Sequence, residues 1–266
     1  MTFKRATDIT VLCQLMLLLG LGISGSTLGA LSDILYAAAF VLPTALGLYL
    51  GKRLGAHLKT PRISRKDMAL FLPVIFPAML IIIAISELTS LLLTAVGFEN
   101  AVTVYPTLLE NIVRHALIPA VFEEALFRYL PVSLYGGENT RGCVLVSSLT
   151  FAFIHCNLFQ IPYAFVAGVI FVSLNIMFDS PLPSWILHAV NNTVSVISLY
   201  YRTEGWVLIS VSVLALLSSV ILVMKRKYYI DETKDVFLTK SKLELSNSLL
   251  LIVIPTLIVA ILNLFG

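Results

Sequence analysis

The chain has 266 residues, of which 58% are hydrophobic and 12% charged, with a net charge of +3 and a mean hydropathy of +0.95. Soluble domains carry about 25% charged residues, so the composition excludes a soluble globular protein and indicates a polytopic membrane protein with no nucleic-acid partner. Cys13, Cys143 and Cys156 have no paired spacing, which excludes a disulfide framework and a CxxC metal site and leaves three apolar packers.

A membrane span needs about 20 mostly apolar residues. Nine segments qualify as candidates: 9–29, 33–51, 68–96, 112–134, 142–157, 160–178, 183–201, 205–224 and 245–265. The expected fold is an all-α polytopic transmembrane bundle of about eight to nine spans. Lys4 and Arg5 before the first apolar run resemble a signal peptide, but the run is too long and further spans follow, so the first helix is expected to stay uncleaved. Gly20, Gly22 and Gly29 in the first segment hint at close helix packing. The third segment is long and carries Glu87, which predicts a tilt or an interfacial turn. The apolar block 142–178 is too long for one span; Asn157, Gln160 and Pro162 predict a break near 155–162.

The loops give an orientation. With the N-terminus in the cytoplasm, fifteen of the 18 Lys and Arg fall on inside segments, as the positive-inside rule expects. The polar stretches 51–66 and 225–243 are both basic and are expected along an anionic inner leaflet. The chain divides into N-terminal helices (1–111), a central core (112–201) and C-terminal helices (202–266).

Chemistry concentrates in 121–130, VFEEALFRYL. Glu123, Glu124 and Arg128 lie inside an apolar run, where each costs at least ~2.5–3.5 kcal/mol on insertion scales, and such groups face a bundle interior or a wet cavity. Glu124 and Arg128 are spaced i,i+4 and can pair, while Glu123 lies about 100° around the helix. One acid is therefore neutralised and the other is left for chemistry. Of the four histidines, His57 lies in a basic loop and His115 near a membrane face. His155 and His188 fall within spans, and Asn192 shares a helix face with His188. Together these groups supply a proton acceptor, imidazoles and an amide donor, which can activate water and stabilise an oxyanion. Glu123, His155 and His188 are equally the candidate ligands for a divalent metal such as zinc. Counted from the span ends, Glu123, His155 and His188 lie ~16, ~20 and ~8 Å from the cytoplasmic side, a disagreement that a tilted or late-starting fifth span would remove.

The order Glu123-Glu124-x-x-x-Arg128, Phe151-x-x-x-His155 and His188-x-x-x-Asn192, each on its own span, resembles the CAAX-protease and bacteriocin-processing (CPBP, or Abi) family of intramembrane endopeptidases. The resemblance covers roughly 112–201. It implies Glu123 as the base that activates water, Glu124 paired with Arg128, His155 positioning the water, and His188 and Asn192 stabilising the oxyanion. The family is labelled metalloprotease, and a metal-free glutamate mechanism has been argued for its prenyl-protein members; the chain lacks HExxH, and the metal-free route is favoured. The substrate implied is a membrane-associated peptide or protein tail reached from the cytoplasm, with a peptide precursor preferred to a prenylated one and a bacterial plasma membrane as the setting. Two other classes fit intramembrane Glu, His and Arg: a proton-coupled transporter, which would carry repeats not found here, and a non-catalytic scaffold that binds a membrane partner.

Overall fold

The computed structural model describes residues 2–25, 30–56, 62–100, 107–135, 139–237 and 247–264. These residues form helices and turns, with no strand among them. Chain order gives α1 (Phe3–Gly25), α2 (Ala30–Arg53), α3 (Arg65–Phe71), α4 (Ile75–Ala95), α5 (Leu108–Ile112), α6 (Ile118–Glu124), α7 (Leu130–Tyr135), α8 (Thr140–Phe153), α9 (Ile161–Met177), α10 (Leu182–Tyr201), α11 (Glu204–Met224), α12 (Arg226–Phe237) and α13 (Leu250–Leu262). Each of the nine apolar segments contains helix among the described residues. Among the described residues four stretches are long and apolar enough to cross a membrane: Lys4–Ile23, Ile34–Arg53, Arg65–Ala95 and Glu204–Met224. The fold is thus an all-α membrane bundle.

Several boundaries differ from expectation for local reasons. Pro73 opens a 3-10 turn at Leu72–Val74 that splits the long third segment into α3 and α4; α3 is capped by Ser64, whose side chain accepts from the Asp67 amide. The block 142–178 breaks over residues 154–160, where the sequence placed the break. Cys156 turns the chain there with φ 49°; it is half-buried, whereas Cys13 and Cys143 are buried as expected. The basic stretch 225–243 contains α12, a helix not expected from its polarity. Gly20 does mark a close contact, since a Cβ there would meet Ala39 Cβ at 2.6 Å, but nothing lies within 4 Å of one at Gly22. Gly29, His57 and residues 238–243 lie outside the described residues.

Residues 108–135 form one continuous rod in which α5, α6 and α7 are joined by two π turns, Val113–Leu117 and Ala125–Tyr129. Each π turn precedes a proline by two residues. Pro119 and Pro131 have no amide hydrogen, so the carbonyls of His115 and Phe127, four residues earlier, cannot receive the usual helical bond. The chain answers with wider i→i+5 bonds just before each proline, Ile118 N–H to Val113 O and Leu130 N–H to Ala125 O. Such π turns occur mostly as single turns and often at functional sites.

The rod is enclosed. α1 pairs with α2, α8 with α9, and α4 with α11, while α10 runs along the first π turn and α6. α8 and α9 approach closely because Gly168 leaves room: a Cβ there would meet Ser148 Cα at 2.9 Å. A polar seam on α1 ties it to the core, with Thr7 bonded to Tyr135 Oη at 2.7 Å and Gln14 Nε2 donating to Thr150 Oγ1 at 2.9 Å.

Other long-range bonds gather the charge-rich segments at one end of the bundle. There Ser248 donates to Asp8 at 2.6 Å, Thr140 to the Val236 carbonyl at 2.8 Å, Tyr229 to the Leu70 carbonyl at 2.6 Å, and Arg141 to the Phe237 carbonyl.

Candidate active site

Three stretches bring the motif residues together: α6 with the π turn after it, the end of α8 with the turn that follows it, and α10. Glu124 is fully buried, and so is Arg128. Arg128 Nη1 lies 3.0 Å from Glu124 Oε1. The same oxygen is 2.9 Å from His188 Nδ1. Glu124 thus has two basic partners rather than the one that helical spacing indicated, and Ser184, one turn before His188, also lies against it.

Arg128 is held as much by rings as by charge. Its guanidinium carbon sits 3.7 Å from the centre of the Phe151 ring and 5.1 Å from that of Phe171. Its nitrogens have no hydrogen-bond partner among the described residues, and the ion pair with Glu124 and the two rings are what hold it. A desolvated cation–π contact contributes about 2 kcal/mol, which offsets part of the cost of burying the ion.

The two histidines are oriented by what their Nδ1 atoms touch. His155 Nδ1 is 2.7 Å from the Phe151 carbonyl. A carbonyl only accepts, so Nδ1 carries the hydrogen. His188 Nδ1 likewise donates to the Glu124 carboxylate. In both rings Nε2 is left as the working nitrogen, an acceptor when the ring is neutral and a donor when it is protonated. His188 Nε2 lies 3.8 Å from Glu123 Oε2, too far for a direct hydrogen bond. Glu123, with 17% of its side chain exposed against 0% for Glu124, is the carboxylate that reaches open space, and it is an electrostatic neighbour of His155.

Asn192 has a second task. Its Nδ2 donates at 3.1 Å to the His115 carbonyl, the carbonyl that Pro119 deprives of its i+4 amide, and its Oδ1 accepts from Asn191 at 3.2 Å. One amide hydrogen of Asn192 is therefore committed to the rod. His115, expected near a membrane face, contributes this carbonyl to the site.

The depth disagreement has a simple origin. Counted from Tyr135, Glu123 lies roughly 18 Å in, and His155 lies roughly 22 Å from Thr140. His188 is only roughly 9 Å from the start of α10, but that start is itself recessed. Ser180 and Pro181 line a small cavity with Tyr129, Val132 and Ser133, inside the end of the rod. It is the turn between α9 and α10 that is drawn in; α8 begins at Thr140, ahead of the expected 142.

Five of the six candidate residues, Glu123, Glu124, Arg128, His155 and His188, meet in one place, and Asn192 stands one turn beyond His188 on α10, bonded to the His115 carbonyl. Missing from the sequence reading were Phe171 and Ser184, together with the ring of Phe151, noted only as a motif letter. Glu123, His155 and His188 have the donor chemistry of a zinc site, yet among the described residues no three His, Cys, Asp or Glu side chains converge as a metal-ligand set.

A buried acid–base cluster inside an all-α membrane bundle defines the class of site. Residues 105–194 match the sequence model of the family described as Rce1-like, type II CAAX prenyl endopeptidase Rce1-like. The resemblance to the CAAX-protease family carried by the three motifs is thereby shown for this segment, about a third of the chain. Comparison with curated proteins and with solved structures gives no match.

Proposed function

We propose that the protein is an intramembrane endopeptidase that hydrolyses a peptide bond in a membrane-associated peptide or protein tail. The observation that carries this reading is the division of labour between adjacent acids: Glu124 is tied to Arg128 and His188, while Glu123 stands 3.8 Å from His188 Nε2 and in the electrostatic reach of His155, with no direct hydrogen bond to either ring. A general base needs this combination of access and an unspent acceptor. The match of 105–194 to a CAAX endopeptidase family supports the same reaction class.

In this mechanism Glu123 removes a proton from water as the oxygen attacks the scissile carbonyl, and delivers it to the leaving amine as the C–N bond breaks. His155, fixed through Nδ1 on the Phe151 carbonyl, orients the water with Nε2. His188, fixed through Nδ1 on Glu124, donates from protonated Nε2 to the oxyanion, joined by the remaining amide hydrogen of Asn192. Arg128 balances Glu124 and does not touch the substrate. No step is routed through a metal. Residues 112–201 form the catalytic core, and substrate enters from the cytoplasmic side of a bacterial plasma membrane, the side to which the positive-inside rule assigns the charge-rich end.

The test is cleavage by the purified protein of a panel of membrane-associated substrates, prenylated CAAX tails and unmodified peptide precursors, with metal analysis of the same preparation. Cleavage of either arm without stoichiometric metal is expected. Failure on every substrate, together with ion or solute flux in proteoliposomes, would overturn the reading in favour of a transporter.

A further inference from the structure

The rod has two proline-orphaned carbonyls, and neighbouring helices answer both in the same way. Asn192 of α10 caps the His115 carbonyl left by Pro119. Ser147 of α8 donates its hydroxyl to the Phe127 carbonyl left by Pro131. Ser147 and Phe127 are both fully buried, so bulk water does not reach this contact, and a buried carbonyl is normally paired. Asn192 belongs to a recognised motif; Ser147 does not.

The place of Ser147 on α8 gives the contact its meaning. Ser147 and Phe151 lie one turn apart on one face of α8, and His155 follows four residues later, in the turn that ends the helix. Ser147 holds the carbonyl of Phe127. Phe151 carries the guanidinium of Arg128, the next residue along the rod. The Phe151 carbonyl in turn fixes His155. One face of α8 therefore grips the second π turn and stacks its cation, and the same stretch of main chain orients the imidazole that follows it.

We infer that Ser147 is a positioning residue for the reaction: by capping the Phe127 carbonyl it holds the π turn Ala125–Tyr129 in register, and through Arg128 and Glu124 it sets where Glu123 and His188 stand. This rests on the endopeptidase reading above. Ser148, next in sequence, equally buried and bonded to the Val144 carbonyl of its own helix at 2.6 Å, touches none of these groups through its hydroxyl and is the matched control.

The experiment has two arms on the full-length protein in detergent or nanodiscs. In the kinetic arm, Ser147→Ala is expected to lower kcat at least tenfold with KM unchanged, while Ser148→Ala leaves both near wild type. Equal effects of the two variants, or a loss confined to KM, would overturn the assignment. In the stability arm, Pro131→Ala supplies an amide hydrogen four residues beyond Phe127. Ser147→Ala should then lower the melting temperature in the wild-type background and have little effect in the Pro131→Ala background. An equal drop in both backgrounds would show that the hydroxyl does not serve the orphaned carbonyl. Should Pro131→Ala fail to fold, the comparison of Ser147→Ala with Ser148→Ala decides. Should the wild type cleave nothing, the functional reading fails by itself and the stability arm alone decides on Ser147.

Discussion

His188 Nδ1 lies 2.9 Å from Glu124 Oε1, so the second glutamate of the pair orients the imidazole as well as balancing a cation. Helix spacing joins Glu124 to Arg128; only the tertiary packing of α10 against α6 joins it to His188. The consequence is one buried unit, Arg128–Glu124–His188, beside which Glu123 is left to react.

Breaking that unit should cost stability. Removing one partner of a buried ion pair typically costs ~3–5 kcal/mol. Glu124→Ala and Arg128→Ala are expected to lower thermal stability and yield by that order, whereas Glu123→Gln should stay within about 1 kcal/mol of wild type. Thermal melts of the three purified variants check this, and a Glu123→Gln variant that alone fails to fold would reverse the two roles.

The ring of Phe151 should matter apart from its place in a motif. Phe151→Leu keeps the carbonyl that binds His155 and removes the face that carries Arg128. The expected loss is at least about 2 kcal/mol, with a smaller loss for Phe171→Leu, whose ring is farther from the guanidinium carbon at 5.1 Å. Melts of the two variants with Arg128 intact distinguish them; equal losses would assign the effect to packing alone.

Asn192→Ala should impair both rate and fold. An oxyanion donor is worth ~10²–10³ in rate. Because Asn192 also serves the His115 carbonyl, its loss leaves a polar group unsatisfied at ~1–3 kcal/mol. A variant with reduced rate and wild-type stability would leave the His115 contact without energetic weight.

Orientation is testable separately. Single cysteines at Arg62 and Lys234, in a background lacking Cys13, Cys143 and Cys156, should resist an impermeant thiol reagent in intact cells and react after permeabilisation. Labelling of both positions from outside would place the charge-rich end, and substrate entry with it, on the opposite face.

Much of this architecture was legible in the residues, because hydropathy and three short motifs are local signals. Among the described residues the nine apolar runs all contain helix, and the break before Ile161 follows from Asn157, Gln160 and Pro162. What was missed depends on how one helix meets another. Nothing local says that Phe171 comes under Arg128, that Ser184 reaches Glu124, or that the turn at Ser180–Pro181 is drawn inward. The π turns are an intermediate case: the pairs His115–Pro119 and Phe127–Pro131 are visible in the sequence and mark the carbonyls that lose their donor. Which neighbour caps each one is not visible, since this is decided by the register of α8 and α10 against the rod.

The central claim is that Glu123 is the base. The measurement that bears on it most directly is single-turnover cleavage by Glu123→Gln at saturating substrate, beside wild type, with binding and metal content followed in the same samples. Glutamine keeps the shape but cannot take the proton, so cleavage should disappear while substrate binding, melting temperature and metal content remain as in wild type. Substantial cleavage by Glu123→Gln, with purity controlled, would contradict the account whether or not a metal is present.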